Sequence, residues 1–290
     1  MRYHVNMNHQ AYIEYLDRLP ISEHTRRNYG LRVKKFLSWL DDTIDGNKAL
    51  SSQVDRDFSV RDYQISLLQA GLRPSTINAH LAALDNFFQF IGLGATELRR
   101  QDLPKQAPKG LEGDELRRLM KSIYRCESMR NKTIAVLMLY SGLRVSEVAN
   151  LNVSDVFVTA RKGEITVRCG KNSKHKRVPM NPELREVMQA FMPRPRDPQE
   201  PLFMSQKGNR ISTNAIDHLI RQIARDAGVE MSSHSLRHTC LSKLIRQGFD
   251  IVIVAEIAGH SRLETTRRYS LPSANDKISA MEQLNYAAKT

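Results

Sequence analysis

The residues best suited to chemistry lie in the second half of the chain, and the last of them is Tyr269. This tyrosine follows a Gly259-His260 turn at the end of a short basic helical run, which is an unusual place for a surface tyrosine. The placement makes sense if the hydroxyl must reach a phosphate. A reaction at a phosphodiester would need further groups, and the preceding segments contain candidates for each of them.

Transfer of a phosphodiester without a metal requires four kinds of group. It needs a nucleophile, cations that hold the non-bridging oxygens, a proton donor for the leaving oxygen, and a group that helps the nucleophile to lose its proton. Tyr269 is the candidate nucleophile. The arginines, lysines and histidines that precede it in the chain are the candidates for the cations, the proton donor and the group that takes up the proton.

The first cationic segment is 141–151, where Gly142 ends an apolar stretch and Arg144 begins a short helix. Helix amides add positive potential there, and a planar guanidinium can grip two phosphate oxygens at once. Glu147, three residues later, can brace the site from the same helix face. Taken alone, the segment is better explained as a surface arginine paired with its own glutamate.

A second segment contains His234 and Arg237, which are three residues apart and share one helix face. Both can therefore address one phosphate, with Ser232 or Ser233 as the helix cap. His260 lies nine residues before Tyr269. A pair of this kind arises by chance on any basic helix face, so this pattern is weak by itself.

The candidate proton donor is Lys171, which follows Gly170 at the tip of a predicted β-turn. A lysine in a turn is usually only solvated. Beside a flexible glycine on a hairpin, however, it can reach into a DNA groove and protonate a leaving oxygen.

The elements that would position these groups fall into two halves. The first half, up to about Gly94, is predicted to be all-helical. Its segments 22–40 and 74–90 start with a helix-favouring Ser or Pro and set apolar residues on one face at helical spacing. Basic residues decorate the rest of the first segment and favour a surface that follows phosphates. The aromatic residues are predicted to be core rather than platforms for base stacking.

The second half, from Leu111, is predicted to combine helices with a small antiparallel sheet of about three strands. The fold class is therefore mainly α with a small antiparallel β-sheet: an all-helical N-terminal domain followed by a mixed α/β domain. We predict helices over 114–124, 132–140, 144–151, 182–191, 213–227, 235–247 and 250–258, a final helix from Ser273, and strands over 155–159, 164–169 and 175–180.

A stretch of linker composition separates the halves. Residues 99–110 include two prolines, a glycine and four basic residues, with almost no apolar content. We predict a helical domain over 1–97, a linker over 98–110, and a second domain over 111–290. An apolar stripe on the last helix, 273–290, packs on its own domain or docks elsewhere.

The composition favours a polyanionic partner. The 290 residues include 44 Lys and Arg against 31 Asp and Glu, a net charge of +13 that favours nucleic acid. Three widely spaced cysteines without a CxxC pattern argue against a disulfide framework or a zinc site, and favour reduced thiols in a cytosol. Neither a secretory signal nor a membrane span is predicted.

Together, the order and spacing of these motifs resemble the tyrosine recombinase (phage integrase) family in a compact, Xer-like form. The resemblance covers the whole second half, and the basic helical first half is similar to that family's SAM-like core-binding domain. The motifs are Ser-Gly-Leu-Arg-x-Ser-Glu at 141–147, Gly-Lys-x-x-Lys at 170–174, Leu-Arg-His-Thr at 236–239 and Gly-His-Ser-x-x-x-Thr-Thr-x-x-Tyr at 259–269.

The resemblance implies a role for each candidate. Tyr269 would be the nucleophile and would form a 3′-phosphotyrosyl link with a free 5′-hydroxyl, without metal, ATP or another cofactor. Lys171 would be the general acid for the 5′-oxygen, with Lys174 as the alternative because hairpin register is not readable from sequence. Arg144 and Arg237 would bind the non-bridging oxygens, His260 would add a hydrogen bond to the same phosphate, His234 would assist proton transfer at the tyrosine, and Glu147 would support the site.

The resemblance also implies the partners. The substrate would be double-stranded DNA with an inverted-repeat core site, recombined through a Holliday junction. Helix 273–290 would dock into a neighbouring subunit and link a homotetramer on two duplexes, with a heterotetramer that includes a paralogue as the alternative. The protein would act in the cytoplasm, associated with the nucleoid. The candidate DNA contacts are Arg26, Arg27, Lys34, Arg73 and Lys174.

Two departures from the family pattern concern the cellular role rather than the chemistry. Met231-Ser-Ser precedes His234 instead of the proline-flanked lead-in of Xer-type members, and the segment before Tyr269 is unusually basic, with Arg262, Arg267 and Arg268. Both favour integration, excision or resolution of a mobile element or replicon over chromosome-dimer resolution. The alternatives are a type IB topoisomerase, which uses the same tyrosine chemistry as a monomer, and a catalytically silent DNA-binding protein.

Overall fold

The computed structural model describes residues 2–43, 46–103, 110–168, 175–192, 196–260, 262–270, 278 and 281–282, without the side chains of 2–8 and 46–47. The chain divides into two compact units, Met1–Pro104 and Lys105–Thr290. The first is helical, and the second combines helices with a three-stranded antiparallel sheet. The predicted fold class is therefore confirmed.

Helices form most of the described part of the first unit. Ser22 accepts a hydrogen bond from the backbone of Thr25 and so caps the second helix, and Pro74 begins the fourth. The apolar stripes predicted for these two helices are buried, except that Tyr29 of α2 is only half-buried. The helices are α1 Arg2–Arg18, α2 Glu23–Asp41, α3 Gln53–Gln69 and α4 Pro74–Phe90, with a 3-10 turn over Gly46–Leu50.

The aromatic residues of the first unit are core, as predicted. Phe36 of α2 and Phe88 of α4 are both fully buried, with their ring centroids 5.8 Å apart in an edge-to-face arrangement. The chain after α4 packs on the same unit. The backbone N–H of Gln101 donates to Asn78 Oδ1, and the Asn78 side chain donates back to the Gln101 carbonyl, both at 2.8 Å.

The second unit is built around α6, the near-continuously apolar segment that the sequence predicted to be buried. Its residues 133–139 are all buried and pack with the sheet and the surrounding helices. The elements are α5 Gly113–Arg125, α6 Met129–Ser141, α7 Val145–Asn150, β1 Val156–Val158, β2 Gly163–Arg168, β3 His175–Pro179, α8 Pro182–Phe191, α9 Thr213–Asp226, α10 Ser233–Arg246, α11 Ile251–Ala258 and α12 Leu263–Arg267, with 3-10 turns over Val153–Asp155 and Arg268–Ser270.

The sheet has the order β1-β2-β3, with both pairs antiparallel. Ile165 pairs with Val178, and Val167 pairs with Lys176. Since alternate residues of a strand face the same side, Lys176 lies on the face of β3 that buries Val178. A lysine therefore occupies a core-facing position of this strand.

Two helices of the second unit end in a left-handed glycine just before a candidate functional residue. Gly142 ends α6 with a φ of 61°, two residues before Arg144, and Gly259 ends α11 with a φ of 65°, directly before His260. Glycine adopts this conformation without the steric penalty that other residues incur. Both chain reversals are therefore set by local sequence. Among the helices of the described ranges, none is long and apolar enough to cross a membrane.

We expect Gly142→Ala to destabilise the second unit by about 2–3 kcal/mol, because a left-handed alanine costs roughly 1–2 kcal/mol and its methyl group must also be accommodated. A Cβ there would lie 3.3 Å from Leu241 Cδ2 and 3.4 Å from Cys240 Sγ. The matched control is Gly208→Ala, which has a φ of 77° and no atom within 4 Å of the added carbon. Urea unfolding of the full chain measures the loss of unfolding free energy in each variant. Equal losses would contradict a steric contribution from the neighbours of Gly142, because only the left-handed backbone would then matter.

Candidate active site

Four parts of the second unit bring charged and aromatic side chains together. The N-terminus of α7 carries Arg144 and Glu147, and β3 carries Lys176. Helix α10 carries three residues of the His-Ser-Leu-Arg-His motif. The segment after α11 carries the last two residues of the cluster, His260 and Tyr269.

Glu147 stands between two cations. One carboxylate oxygen, Oε2, accepts the backbone N–H of Arg144 at 2.7 Å, which caps α7, and Oε1 accepts Arg144 Nη1 at 2.9 Å. Lys176 Nζ lies 3.6 Å from Oε2. Glu147 is largely buried, whereas Arg144 is partly exposed. The carboxylate therefore orients the arginine and balances the buried lysine.

Lys176 also packs on the turn that carries His260. Its side chain is only 8% exposed, and a Cβ added to Gly259 would lie 2.9 Å from Lys176 Cδ. The lack of a side chain at Gly259 is thus required by this contact as well as by its φ. From the sequence alone, Lys176 is predicted only to lie in the strand over 175–180. The signal that could have found it is its alternation with the buried Val178.

Arg237 lies at the centre of the cluster and is 1% exposed. Its Nη1 donates to the Gly142 carbonyl at 2.5 Å, and its Nη2 donates to the Ala258 carbonyl at 2.8 Å and to His260 Nε2 at 2.9 Å. The guanidinium therefore joins the C-terminal ends of α6 and α11, where carbonyl oxygens lack helical partners. Burial lowers the pKa of Arg237, although the group remains a cation at neutral pH.

His260 is held in one tautomer by its two partners. A guanidinium donates but cannot accept, so Nε2 of His260 is the acceptor, and we assign the ring proton to Nδ1. Nδ1 then donates to Oγ1 of the buried Thr266 at 2.7 Å. Burial, followed by the charges of Arg237 and Arg144, lowers the pKa of His260 to about 4. The imidazole is neutral at pH 7.

Tyr269 is buried, which corrects the expectation of a surface tyrosine. It is 8% exposed and packs with Leu241, Val254 and Ala258. The ring leaves solvent because the 3-10 turn that ends this segment lies against α10 and α11. Burial raises the pKa of the Tyr269 hydroxyl, while Arg237, Arg268 and Arg144 act in the opposite direction.

The hydroxyl of Tyr269 lies 2.9 Å from Nδ1 of His238. His238 belongs to the Leu-Arg-His-Thr motif at 236–239, but the sequence alone predicts no role for it. Its spacing of four residues from His234 places both histidines on one face of α10, and their rings meet edge to face with centroids 4.4 Å apart. Burial, then His234 and Arg237, lower the pKa of His238 to about 4.

His234 is adjacent to the same cluster. Burial and the charges of Arg237 and Arg144 lower its pKa. Helix α10, which carries these histidines and Arg237, is anchored to α9. The carboxylate of Asp217 accepts the backbone N–H of Ser233 at 3.1 Å and its hydroxyl at 2.7 Å. This contact fixes the start of α10 and hence the direction of its functional side chains.

The structure thus brings together six of the residues that the sequence predicted: Arg144, Glu147, His234, Arg237, His260 and Tyr269. It adds Lys176 and His238. Lys171 and Lys174 lie outside the described residues, so their predicted roles remain predictions.

The DNA-contact candidates of the first unit differ in exposure. Arg27 and Lys34 are exposed on α2 and seven residues apart, about two helical turns on one face. Arg73 is exposed at the start of α4. Arg26 is half-buried and lies 3.6 Å from Asp17. Arg26 is therefore the member of this set whose charge is already partly matched within its own unit.

The arrangement is suited to phosphoryl transfer. Two guanidinium groups within one cluster can hold the oxygens of a phosphodiester, and a tyrosine hydroxyl beside them can attack the phosphorus. Among the described residues, there is no group of three or more His, Cys, Asp or Glu side chains that could hold a metal ion.

Solved structures share this fold. The crystal structure of XerA recombinase aligns with a TM-score of 0.55 at 25% identity and covers 97% of this chain and 100% of that chain. The post-cleavage complex of XerH site-specific recombinase with palindromic difH substrate aligns with a TM-score of 0.71 at 20% identity, over 89% of this chain and 78% of that chain. The fold of this chain is therefore that of these recombinases.

Sequence comparison gives the family. Residues 109–275 match the phage integrase family, and residues 10–92 match the N-terminal SAM-like domain of phage integrases. Tyrosine recombinase XerA of Thermococcus kodakarensis is 32% identical over 281 residues, which are 93% of this chain and 94% of that protein. Tyrosine recombinase XerC of Chlamydia caviae is 28% identical over 307 residues, 94% of this chain and 96% of that protein.

The chain therefore belongs to the phage integrase family. Its function is that of a site-specific tyrosine recombinase, an enzyme that cuts and rejoins DNA.

We expect Glu147→Gln to slow DNA cleavage by about 10-fold or more, because an amide keeps the shape but loses the charge that holds Arg144 and balances Lys176. The substrate is a duplex selected for binding from a randomised inverted-repeat library, called here the selected core site. Single-turnover cleavage gives the rate. The control is Glu164→Gln, which removes a carboxylate from an exposed pair with Arg177 at 3.7 Å and should leave the rate unchanged. Equal rates for both variants would contradict the orienting role of Glu147.

Proposed function

We propose that this chain cuts DNA by attack of Tyr269 on a phosphodiester held by Arg144 and Arg237. The observation that carries the proposal is the grouping of the Tyr269 hydroxyl with two arginines and His238 in a single cluster. The nearby cations oppose the effect of burial on the pKa of Tyr269. They also stabilise the charge that develops on the phosphate oxygens during attack.

The two arginines contribute differently. Arg237 is buried, and three of its five N–H donors are directed to carbonyl oxygens and His260, so its position is fixed and its remaining donors are left for the phosphate. Arg144 is partly exposed and directs Nη1 to Glu147. A guanidinium has five N–H donors, so Arg144 can offer a phosphate two of them at once.

The reaction then exchanges one phosphoester bond for another. The Tyr269 oxygen forms a bond to phosphorus, and the bond from phosphorus to the 5′-oxygen breaks. We propose Lys171 as the donor of the proton that the 5′-oxygen takes up, with Lys174 as the alternative. The family resemblance assigns His260 a hydrogen bond to the phosphate. To donate it from Nε2, the ring proton of His260 must first move there from Nδ1. His234 is the residue that the family resemblance assigns to proton transfer at the tyrosine.

The phosphotyrosyl bond conserves the energy of the phosphodiester, so rejoining requires only the attack of a 5′-hydroxyl. We propose that two such exchanges pass through a Holliday junction and integrate, excise or resolve a mobile element or replicon. The chain would act in the cytoplasm at the nucleoid. Its DNA would carry an inverted-repeat core site, contacted through Arg27, Lys34 and Arg73 in the first unit, with Arg26 and Lys174 as further contacts.

The test is a suicide form of the selected core site with a nick close to the cleavage point, from which the cleaved fragment diffuses away. Wild-type protein should accumulate a covalent complex on a denaturing gel, and Tyr269→Phe should form none, because the phenylalanine has no nucleophile. Tyr140→Phe is the matched control, since the Tyr140 hydroxyl donates to Glu183 at 2.7 Å and not to this cluster. A trapped complex with Tyr269→Phe, or none with wild type, would contradict the proposal, and the latter would favour a catalytically silent DNA-binding protein.

We further propose that the C-terminal segment links subunits of a tetramer on two duplexes, either identical copies or copies mixed with a paralogue. Ile278 and Met281, whose spacing of three residues would place them on one face of a helix, are 55% and 68% exposed. Apart from these two residues and Glu282, the predicted helix 273–290 lies outside the described residues. The same unit has an apolar groove of about 410 Å³, lined by Leu116, Met120, Leu139, Leu244 and Phe249 among others. Exposed apolar residues and an apolar groove on one unit support an exchange of tails between copies.

We expect Ile278→Asp with Met281→Asp to abolish cooperative assembly while single-site DNA binding stays unchanged, as would deletion of 273–290. The reason is that burial of two carboxylates against the apolar part of the groove is unfavourable, and the lining residue Lys243 can pair with only one of them. Gel shift with one and with two core sites separates binding from synapsis, and Glu282→Gln is the control on the same segment. Unaltered synapsis by the double variant would refute the role of the tail.

Relaxation of any supercoiled plasmid by the monomer would favour the topoisomerase alternative.

A further inference from the structure

We propose that His238 is a catalytic residue of this site, and that it takes the proton of the Tyr269 hydroxyl as this oxygen attacks the phosphate. The inference rests on the proposed function and deepens it, since the family resemblance assigned this task to His234.

The geometry selects His238 over His234. Nδ1 of His238 lies 2.9 Å from the Tyr269 hydroxyl oxygen, which is hydrogen-bond distance. The two ring centroids are 5.4 Å apart and tilted by 45°. Within the described parts of the chain, no hydrogen bond joins His234 to Tyr269. His234 instead meets the ring of His238 edge to face, one helical turn earlier on α10.

The direction of the hydrogen bond follows from the neighbours of the hydroxyl. The Arg237 guanidinium lies close enough to the Tyr269 oxygen to act against the rise of its pKa, and a guanidinium can offer that oxygen only hydrogen-bond donors. The single hydroxyl proton must therefore point elsewhere, and Nδ1 of His238 is the acceptor. With its pKa lowered to about 4, His238 is neutral at pH 7, and we assign its ring proton to Nε2. The lone pair on Nδ1 then faces the proton that must leave.

The proton transfer balances with bond exchange at phosphorus. The hydroxyl proton of Tyr269 moves to His238 Nδ1 and makes an imidazolium, while the tyrosine oxygen bonds to phosphorus. The bond to the 5′-oxygen breaks with its electron pair on that oxygen, which takes a proton from the general acid. On rejoining, the incoming 5′-hydroxyl attacks, and the imidazolium returns its proton to the departing tyrosine oxygen.

The electrostatics of the site favour transfer of the Tyr269 proton to His238 only after DNA has bound. Before binding, burial raises the pKa of Tyr269, and burial with His234, Arg237, Arg268 and His260 lowers that of His238. The proton therefore stays on the tyrosine. A phosphodiester beside Arg237 carries a negative charge that offsets part of the field depressing His238. The base becomes stronger only when the substrate is in place.

The test uses the selected core site with sulfur in place of the bridging 5′-oxygen at the cleaved position. A thiolate leaves without protonation, so this substrate rescues variants that lack the general acid but not variants impaired at the nucleophile. We expect His238→Ala to slow single-turnover cleavage by about 100-fold or more, with no rescue by the sulfur substrate. Core-site binding should change little, because His238 is partly buried and its contacts are with Tyr269 and His234.

The decisive variant is His238→Asn. Its amide oxygen can accept the tyrosine hydrogen bond close to the position of Nδ1, but an amide does not take up a proton at neutral pH. If His238 accepts the proton, Asn should be as slow as Ala on both substrates. Near wild-type cleavage by His238→Asn would overturn the proposal, because positioning alone would then account for the contact. Rescue of His238→Ala by sulfur would also overturn it, since the histidine would then act on the leaving group.

Two comparisons separate this inference from the proposed function. Lys171→Ala should be slow with oxygen and rescued by sulfur, and Tyr269→Phe should be inactive on both substrates. Cleavage by Tyr269→Phe would sink the proposed function itself. Suppose instead that Lys171→Ala and Tyr269→Phe behave as expected, but that His234→Ala loses activity that sulfur does not rescue while His238→Ala cleaves at the wild-type rate. The proposed function would then stand, and only the assignment of His238 would be wrong. Urea unfolding of each histidine variant shows whether a loss of rate reflects a loss of folding.

Discussion

The rest of the site depends on the burial of one cation. Arg237 is almost completely removed from solvent, and its hydrogen bonds go to two helix-terminal carbonyls and a neutral histidine. Burial of a charge costs several kcal/mol unless it is compensated. Partial charges on the carbonyls at the ends of α6 and α11 provide part of that compensation. The negative charge of a bound phosphodiester would compensate the rest of the cost of burying Arg237. The packing of the protein therefore places a buried cation where an anion can bind.

The same interaction connects elements that are distant in sequence. Gly142 and Ala258 are brought to one guanidinium, and each lies close to a residue of the cluster, Arg144 or His260. The left-handed glycines that end both helices set the chain reversals, and Lys176 packs against one of them. Loss of any one contact therefore affects the position of several functional groups. The network holds its histidines neutral and its tyrosine protonated before a substrate arrives.

Much of this fold was readable from periodicity. Helix α4 coincides with the predicted segment 74–90, and α8 with 182–191, because an initial proline and a regular apolar stripe define them locally. The three strands were found from alternation and turn residues. Less was readable at the site. The role of His238 is not readable from sequence because its proximity to Tyr269 arises from packing between α10 and a segment some thirty residues later. The position of Lys176 is not readable either, because strand register determines which face a side chain occupies.

Local pattern therefore predicted most of the helices and strands, and the order of the motifs, through the family that they resemble, predicted the class of chemistry and the candidates Arg144, Arg237, His260 and Tyr269. Those features depend on residue type and short-range spacing, which a sequence states directly. The burial of Tyr269, the tautomer of His260 and the choice between His234 and His238 depend on contacts between segments that are far apart in the chain. One turn of α10 separates the two histidines, and only the packing of the 3-10 turn at Arg268–Ser270 against that helix brings the tyrosine to the second one.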